Sequence, residues 1–226
     1  LMSGLDTSLN SNSILKPVAS WYENAFFLEK QGNKKLALAL LILFIALSLL
    51  KVKKGTLLMY SSSCALSGLA VTVIFIFQSI LGNAHLLSAF ILSLLFSGLA
   101  TGAAMSRNRQ RPFVFYPLAL VVTILFTGMI ANSMMLQAAS SVITVSLMLL
   151  TFAAGFFAGS LYRIMTSYRS ALSTEKVYGA DLSGSASGYL LTGTILVPLL
   201  GLTITTFILS GIILVSVFIV SVSSKV

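Results

Sequence analysis

Charge is what this chain has least of. Of its 226 residues only 8% are charged, against about 25% in a typical soluble domain. So few charges leave no means of covering a water-facing surface, which excludes a soluble globular domain. With 57% hydrophobic residues and a mean hydropathy of +1.01, the composition is that of an integral membrane protein. Acids are scarcer than bases, 5 against 14, for a formal net charge of +9. In a soluble protein that balance would suggest nucleic acid. Here basic residues are expected in loops that face the cytoplasm, so the bilayer is the expected partner and nucleic acid is not. The single cysteine, Cys64, excludes an internal disulfide and a cysteine metal cluster. The single histidine, His85, cannot form a bis-histidine site alone. No pattern of basic, apolar and small residues typical of a signal peptide precedes the first apolar run.

What is abundant is long apolar sequence. Seven runs stand out: Leu36 to Leu50, Thr56 to Leu81, Leu86 to Met105, Phe113 to Ala131, Ser140 to Tyr162, Leu182 to Leu200 and Leu202 to Val222. As a helix the first covers about 22 Å, short of the roughly 30 Å hydrocarbon core. Lysine stems at Lys34, Lys35, Lys51, Lys53 and Lys54 can make up the difference. Continuous apolar runs are the wrong pattern for strands of a β-barrel, which alternate between lipid and lumen. The expectation is an all-α, polytopic transmembrane bundle of about seven spans. It divides into an extramembrane segment 1–35, a short span and basic loop 36–55, and a six-helix domain 56–226.

Orientation follows from counting bases. If all seven runs span, ten of the 14 lie on one side: Lys51, Lys53, Lys54, Arg107, Arg109, Arg111, Arg163, Arg169, Lys176 and Lys225. Lys16, Lys30, Lys34 and Lys35 lie on the other. The richer side is expected in the cytoplasm, with the C-terminus, and segment 1–35 outside. The aromatics of that segment, Trp21, Tyr22, Phe26 and Phe27, suit an interfacial helix or a docking patch.

Glycines recur four residues apart at Gly98 and Gly102, Gly155 and Gly159, and Gly184 and Gly188. Lipid gives helices no hydrophobic reason to associate, so close backbone packing at small residues must hold them together. All three pairs fall near the cytoplasmic ends of their helices, where tight crossings are expected. Ser61, Ser62, Ser63, Ser67 and Gly68 form another small face, for packing or for a substrate path. Pro198 is expected to bend the sixth span.

Polar groups at membrane depth are costly and therefore informative. Asp181 stands just before the sixth run. It reads as an N-cap, a carboxylate accepting bonds from the first free amides at the positive end of the helix dipole. A pairing with Arg163 or Arg169 would make it a latch between the fifth and sixth spans. Gln78 can bond across helices or to a quinone. His85, in GNAH, reads as a solvated loop residue, or as a ligand to haem or metal completed by a partner subunit. The sequence has no Gly-rich phosphate loop, no paired carboxylates and no Ser–His arrangement with a third member. The expectation is a non-enzyme that holds, passes or positions something.

The stretch Ser67 to Asn108 resembles the opening helix pair of the membrane domain in bacterial fused spermidine synthase-like proteins. The matches are Ser67 and Gly68; Phe77, Gln78 and Gly82; and Phe96, Gly98, Leu99, Gly102 and Ala103. Tyr178, Ala180, Asp181, Gly184, Gly188, Pro198 and Gly201 are similar to the family's Y-x-A-D-x-x-G-x-x-x-G segment leading to P-x-x-G. Between them, GFFAGSLY at Gly155 to Tyr162 is similar to its G-F-x-x-G-x-x-F/Y helix. The resemblance covers roughly residues 56–222 and implies a six-helix unit like one half of the major facilitator fold, in a bacterial inner membrane. Val73, Ile74 and Phe75 fill a region where that family often carries a glutamate, and the family's catalytic part has no counterpart in these residues. Aminopropyl transfer is therefore not implied.

Three functions are compatible with this reading. The first expectation is a scaffold or anchoring subunit that holds a partner protein at the bilayer. The second is a half-transporter-like module for a small molecule. The third is a quinone-handling subunit of an electron-transfer complex that uses Gln78 and His85.

Overall fold

A computed structural model describes residues 52–53, 55–81, 84–106, 114–133, 140–168 and 173–223. The first apolar run and segment 1–35 lie outside the described residues. Within them the chain is 95% helical with no strand, as the continuous apolar runs require. The elements are α1 (Leu57–Leu81), α2 (Ala84–Met105), α3 (Phe115–Ser133), α4 (Ser140–Tyr168), α5 (Thr174–Leu191), a π-helical segment (Thr192–Leu200) and α6 (Leu202–Ser223). Among the described residues six spans are long and apolar enough to cross a membrane, with α5 and the π segment forming one of them.

Two boundaries differ from the hydropathy reading. The fifth span continues past Tyr162 to Tyr168, and the sixth begins at Thr174 rather than Leu182. Hydropathy marks where lipid begins, whereas a helix continues as long as its backbone ladder and neighbouring helices support it. The span Thr174–Leu200 has 27 residues. At 1.5 Å per residue it reaches about 40 Å, so its first turns stand beyond a core of about 30 Å. Glu175 and Lys176 sit in those exposed turns.

Helix α1 is the hub. Its span is 83% buried, against 22% for that of α2. It packs on all five other helices, most extensively on α5 and α6. One apolar cluster fills the bundle around Leu69, Val73, Phe77, Leu120, Leu147 and Leu209. A second, smaller one gathers Leu58, Met59, Tyr116, Leu161, Met165 and Val177 at the end where α1 and α5 begin. Pro117 lies in the first turn of α3, where no backbone bond is lost.

The glycine pairs set the two tightest crossings. On α2 and α4 they meet each other. A Cβ at Gly98 or Gly102 would strike the carbonyl oxygen of Phe152 or Phe156, and one at Gly155 or Gly159 that of Leu95 or Leu99. Ser160 Oγ crosses the seam to the Gly102 carbonyl at 3.2 Å. On α5 the partner is not another glycine. Gly184 and Gly188 lie against the backbone of Tyr60 and Cys64 on α1. Tyr60 Oη donates to Ser187 Oγ there at 2.9 Å.

Pro198 lies inside the π segment. A proline removes one amide donor and its ring presses on the carbonyl four residues back. Widening the turn makes room for the ring. The segment ends at Gly201, whose φ of 84° favours glycine and whose amide donates to the Val197 carbonyl.

Gly159→Val sets a branched side chain against the Leu99 backbone, which has no rotamer with which to yield. It is expected to lower stability in detergent by about 3 kcal/mol. Gly179→Ala has nothing within 4 Å of the added carbon and should be neutral or stabilising by up to about 1 kcal/mol through helix propensity. Thermal unfolding of the two purified variants beside the native chain checks both.

Candidate binding groove

The same crossings leave a space. Helix α2 is drawn onto α4, and α5 onto α1. Between α2 and α5 lies a groove of about 560 Å³, with α1 and α4 contributing to its wall. It lies in the half of the bundle near the starts of α1 and α5. Its α1 lining runs only from Met59 to Ser67, and its α4 lining from Ala158 to Tyr162.

Helix α5 carries most of its chemistry. Tyr178, Asp181, Leu182, Ser185 and Tyr189 line the groove, at spacings of three and four that put them on one helix face. The other face holds the buried Val177, Ala180, Gly184, Ser187 and Gly188 and is pressed on α1. Small residues inward and larger polar ones sideways are what orient the Asp181 carboxylate into the gap. From α2 come apolar side chains: Leu95, Phe96, Leu99, Ala100 and Ala103.

Asp181 is not the helix cap that the sequence suggests. Ser173 occupies that position, and its side chain makes no capping bond. Asp181 lies about two turns further in, where the helix's own ladder satisfies its backbone amide. Its carboxylate is thus released from capping, and Ser63 Oγ on α1 donates to Asp181 Oδ1 at 2.5 Å. The serine face of α1 is divided in its bonding. Ser61 and Ser67 turn back onto carbonyls of their own helix, while Ser63 reaches across. Arg163 lies in α4 rather than in a loop, on an exposed face, and the described partner of Asp181 is Ser63 instead. Arg169 lies outside the described residues.

Gln78 is half-buried on α1, 15 residues beyond Ser63, or about 22 Å along the helix. His85 belongs to α2 rather than to a loop, and its side chain lies outside the described residues. Gln78 is therefore at the opposite end of the bundle from the groove. Tyr162 and Tyr178 stand out in the sequence only as positions of the resemblance, and Tyr189 and Ser185 not at all. The signal was present in the three-four spacing of the α5 polar residues. It was obscured because the start of α5 reads as a loop by hydropathy.

Compared with family models, curated proteins and solved structures, the chain matches none.

Removing the Ser63 hydroxyl leaves Asp181 without its described donor. Ser63→Ala is expected to lower stability by about 1 kcal/mol. Removing both members of the pair, as in Ser63→Ala with Asp181→Leu, should restore stability to the native value or above it. Denaturant or thermal unfolding in one detergent gives the three-way comparison.

Proposed function

We propose that this chain is a non-enzymatic, transporter-like membrane module that takes up a small amphiphilic molecule between α2 and α5. The observation that carries this reading is the groove itself, a volume of about 560 Å³ with a carboxylate on one apolar wall. That size and mixture of lining suit a small-molecule site. Phe96, Tyr178 and Leu182 are more than half exposed beside it, so the side facing lipid is open to a molecule already dissolved in the bilayer. The sequence resemblance, which implies a unit like one half of the facilitator fold, points to the same reading.

From Lys51 onward, every basic residue falls toward one end by chain order: before α1, between α2 and α3, from the last turns of α4 to the first turn of α5, and after α6. By the positive-inside rule that end is cytoplasmic, in the bacterial inner membrane that the resemblance implies. The groove then opens in the cytoplasmic half. The scaffold reading draws support from the glycine seams, but it assigns no role to the groove or its carboxylate. The quinone reading has Gln78 and His85 far from the groove.

A cysteine placed at Ser185, with the buried Cys64 left in place, provides the test. Membrane-permeant maleimide should label Ser185→Cys in nanodiscs. At least one of three aromatic probes — cationic, neutral or anionic — should slow that labelling several-fold. Val142→Cys, on a lipid-facing surface, should be unprotected, and adding Ala103→Trp should abolish protection at Ser185→Cys. Unprotected labelling with all three probes would remove the proposal.

A further inference from the structure

The groove has a charge on one side only. Among the described residues Asp181 is the single charged residue of its lining, and no lysine, arginine or histidine joins it there. Ser63 occupies one carboxylate oxygen. An ionised carboxylate has about four acceptor sites on its two oxygens, so one hydroxyl leaves most of its capacity for a further partner. Three tyrosines, Tyr162, Tyr178 and Tyr189, share the lining of the groove with Asp181. Ring faces attract cations most strongly where water is scarce. The rest of the wall is carbon, notably Leu66, Leu95, Leu99, Ala100, Ala103 and Leu182.

Resting on the groove reading above, we infer that the occupant is an amphiphilic organic monocation. Its charged centre sits at Asp181 among the tyrosines, and its apolar body lies along α2. A metal ion is a poor fit, since no three His, Cys, Asp or Glu side chains come together among the described residues. An anion would meet Asp181 with no base to offset it. A polyamine fits poorly too: its second ammonium would be buried against leucine and alanine without a counter-charge, which is costly. One carboxylate matches one cationic centre.

The full chain in phosphatidylcholine nanodiscs, with tritiated tetraphenylphosphonium as probe and empty nanodiscs as the background, tests this. Saturable binding above background is expected. Asp181→Asn should weaken it by about tenfold or more, while Asp181→Glu retains it. Neutral triphenylmethanol should compete about tenfold less well than the unlabelled cation. Spermidine and the isosteric anion tetraphenylborate should not compete. Equal competition by triphenylmethanol and the cation, with Asp181→Asn binding like the native chain, would overturn the monocation and leave the groove reading standing. A lack of protein-dependent binding by any of the cationic, neutral and anionic probes would overturn both. If Asp181→Asn does not elute as a single monodisperse species, the competition ranking on the native chain decides alone.

Discussion

The contact on which this structure depends is backbone against backbone. At Gly98, Gly102, Gly155 and Gly159 two helices approach until the carbonyl of one occupies the place a Cβ would take on the other. Individual dispersion contacts are worth only tenths of a kcal/mol, but a seam of this kind adds many of them. In lipid, where apolar side chains gain nothing by leaving their surroundings, such seams are the main source of specificity. The α1–α5 crossing works in the same way, with glycines on one side only and a serine- and cysteine-bearing helix on the other. A tyrosine–serine hydrogen bond fixes its register.

The groove follows from these two seams. A helix drawn tightly to one neighbour stands away from another. With α2 fastened to α4 and α5 fastened to α1, no described residue fills the edge between α2 and α5. The residues that make the seams and those that line the groove lie on the same helices. On α5 they alternate as two stripes of one surface, glycine and serine inward, tyrosine and aspartate sideways. A carboxylate on the second stripe is removed from its own helix terminus and is held by a hydroxyl from α1. It is thus positioned by packing rather than by capping.

Much of the fold was legible in the sequence because lipid imposes simple demands. Twenty apolar residues in a row mean a span, and glycines four apart mark a face able to pack closely. The pairing of those faces was less legible. The α2 and α4 glycines meet each other, but Gly184 and Gly188 meet Tyr60 and Cys64, whose small neighbours give a weaker signal. The role of Asp181 was misread because the polar opening of α5 resembles a loop. In the structure that opening is helix, and the aspartate is an interior residue of it. The earlier start of α5 turned a cap into a groove residue, and the later end of α4 carried Arg163 out of a loop and into that helix. Hydropathy does not report helix that continues beyond the bilayer, and the error had that single cause.

The depth of the groove has a consequence for traffic. Its lining ends at Ser67 on α1, and beyond that point the same helix is sealed by Leu69, Val73, Ile76 and Phe77, all at most 1% exposed. On the function proposed above, a guest held there communicates with a single leaflet and leaves by the side it came in. Passage to the opposite leaflet would require the sealed half to part, and the widened turn around Pro198, closed off by Gly201, is where the backbone is already least committed to a straight α-helix.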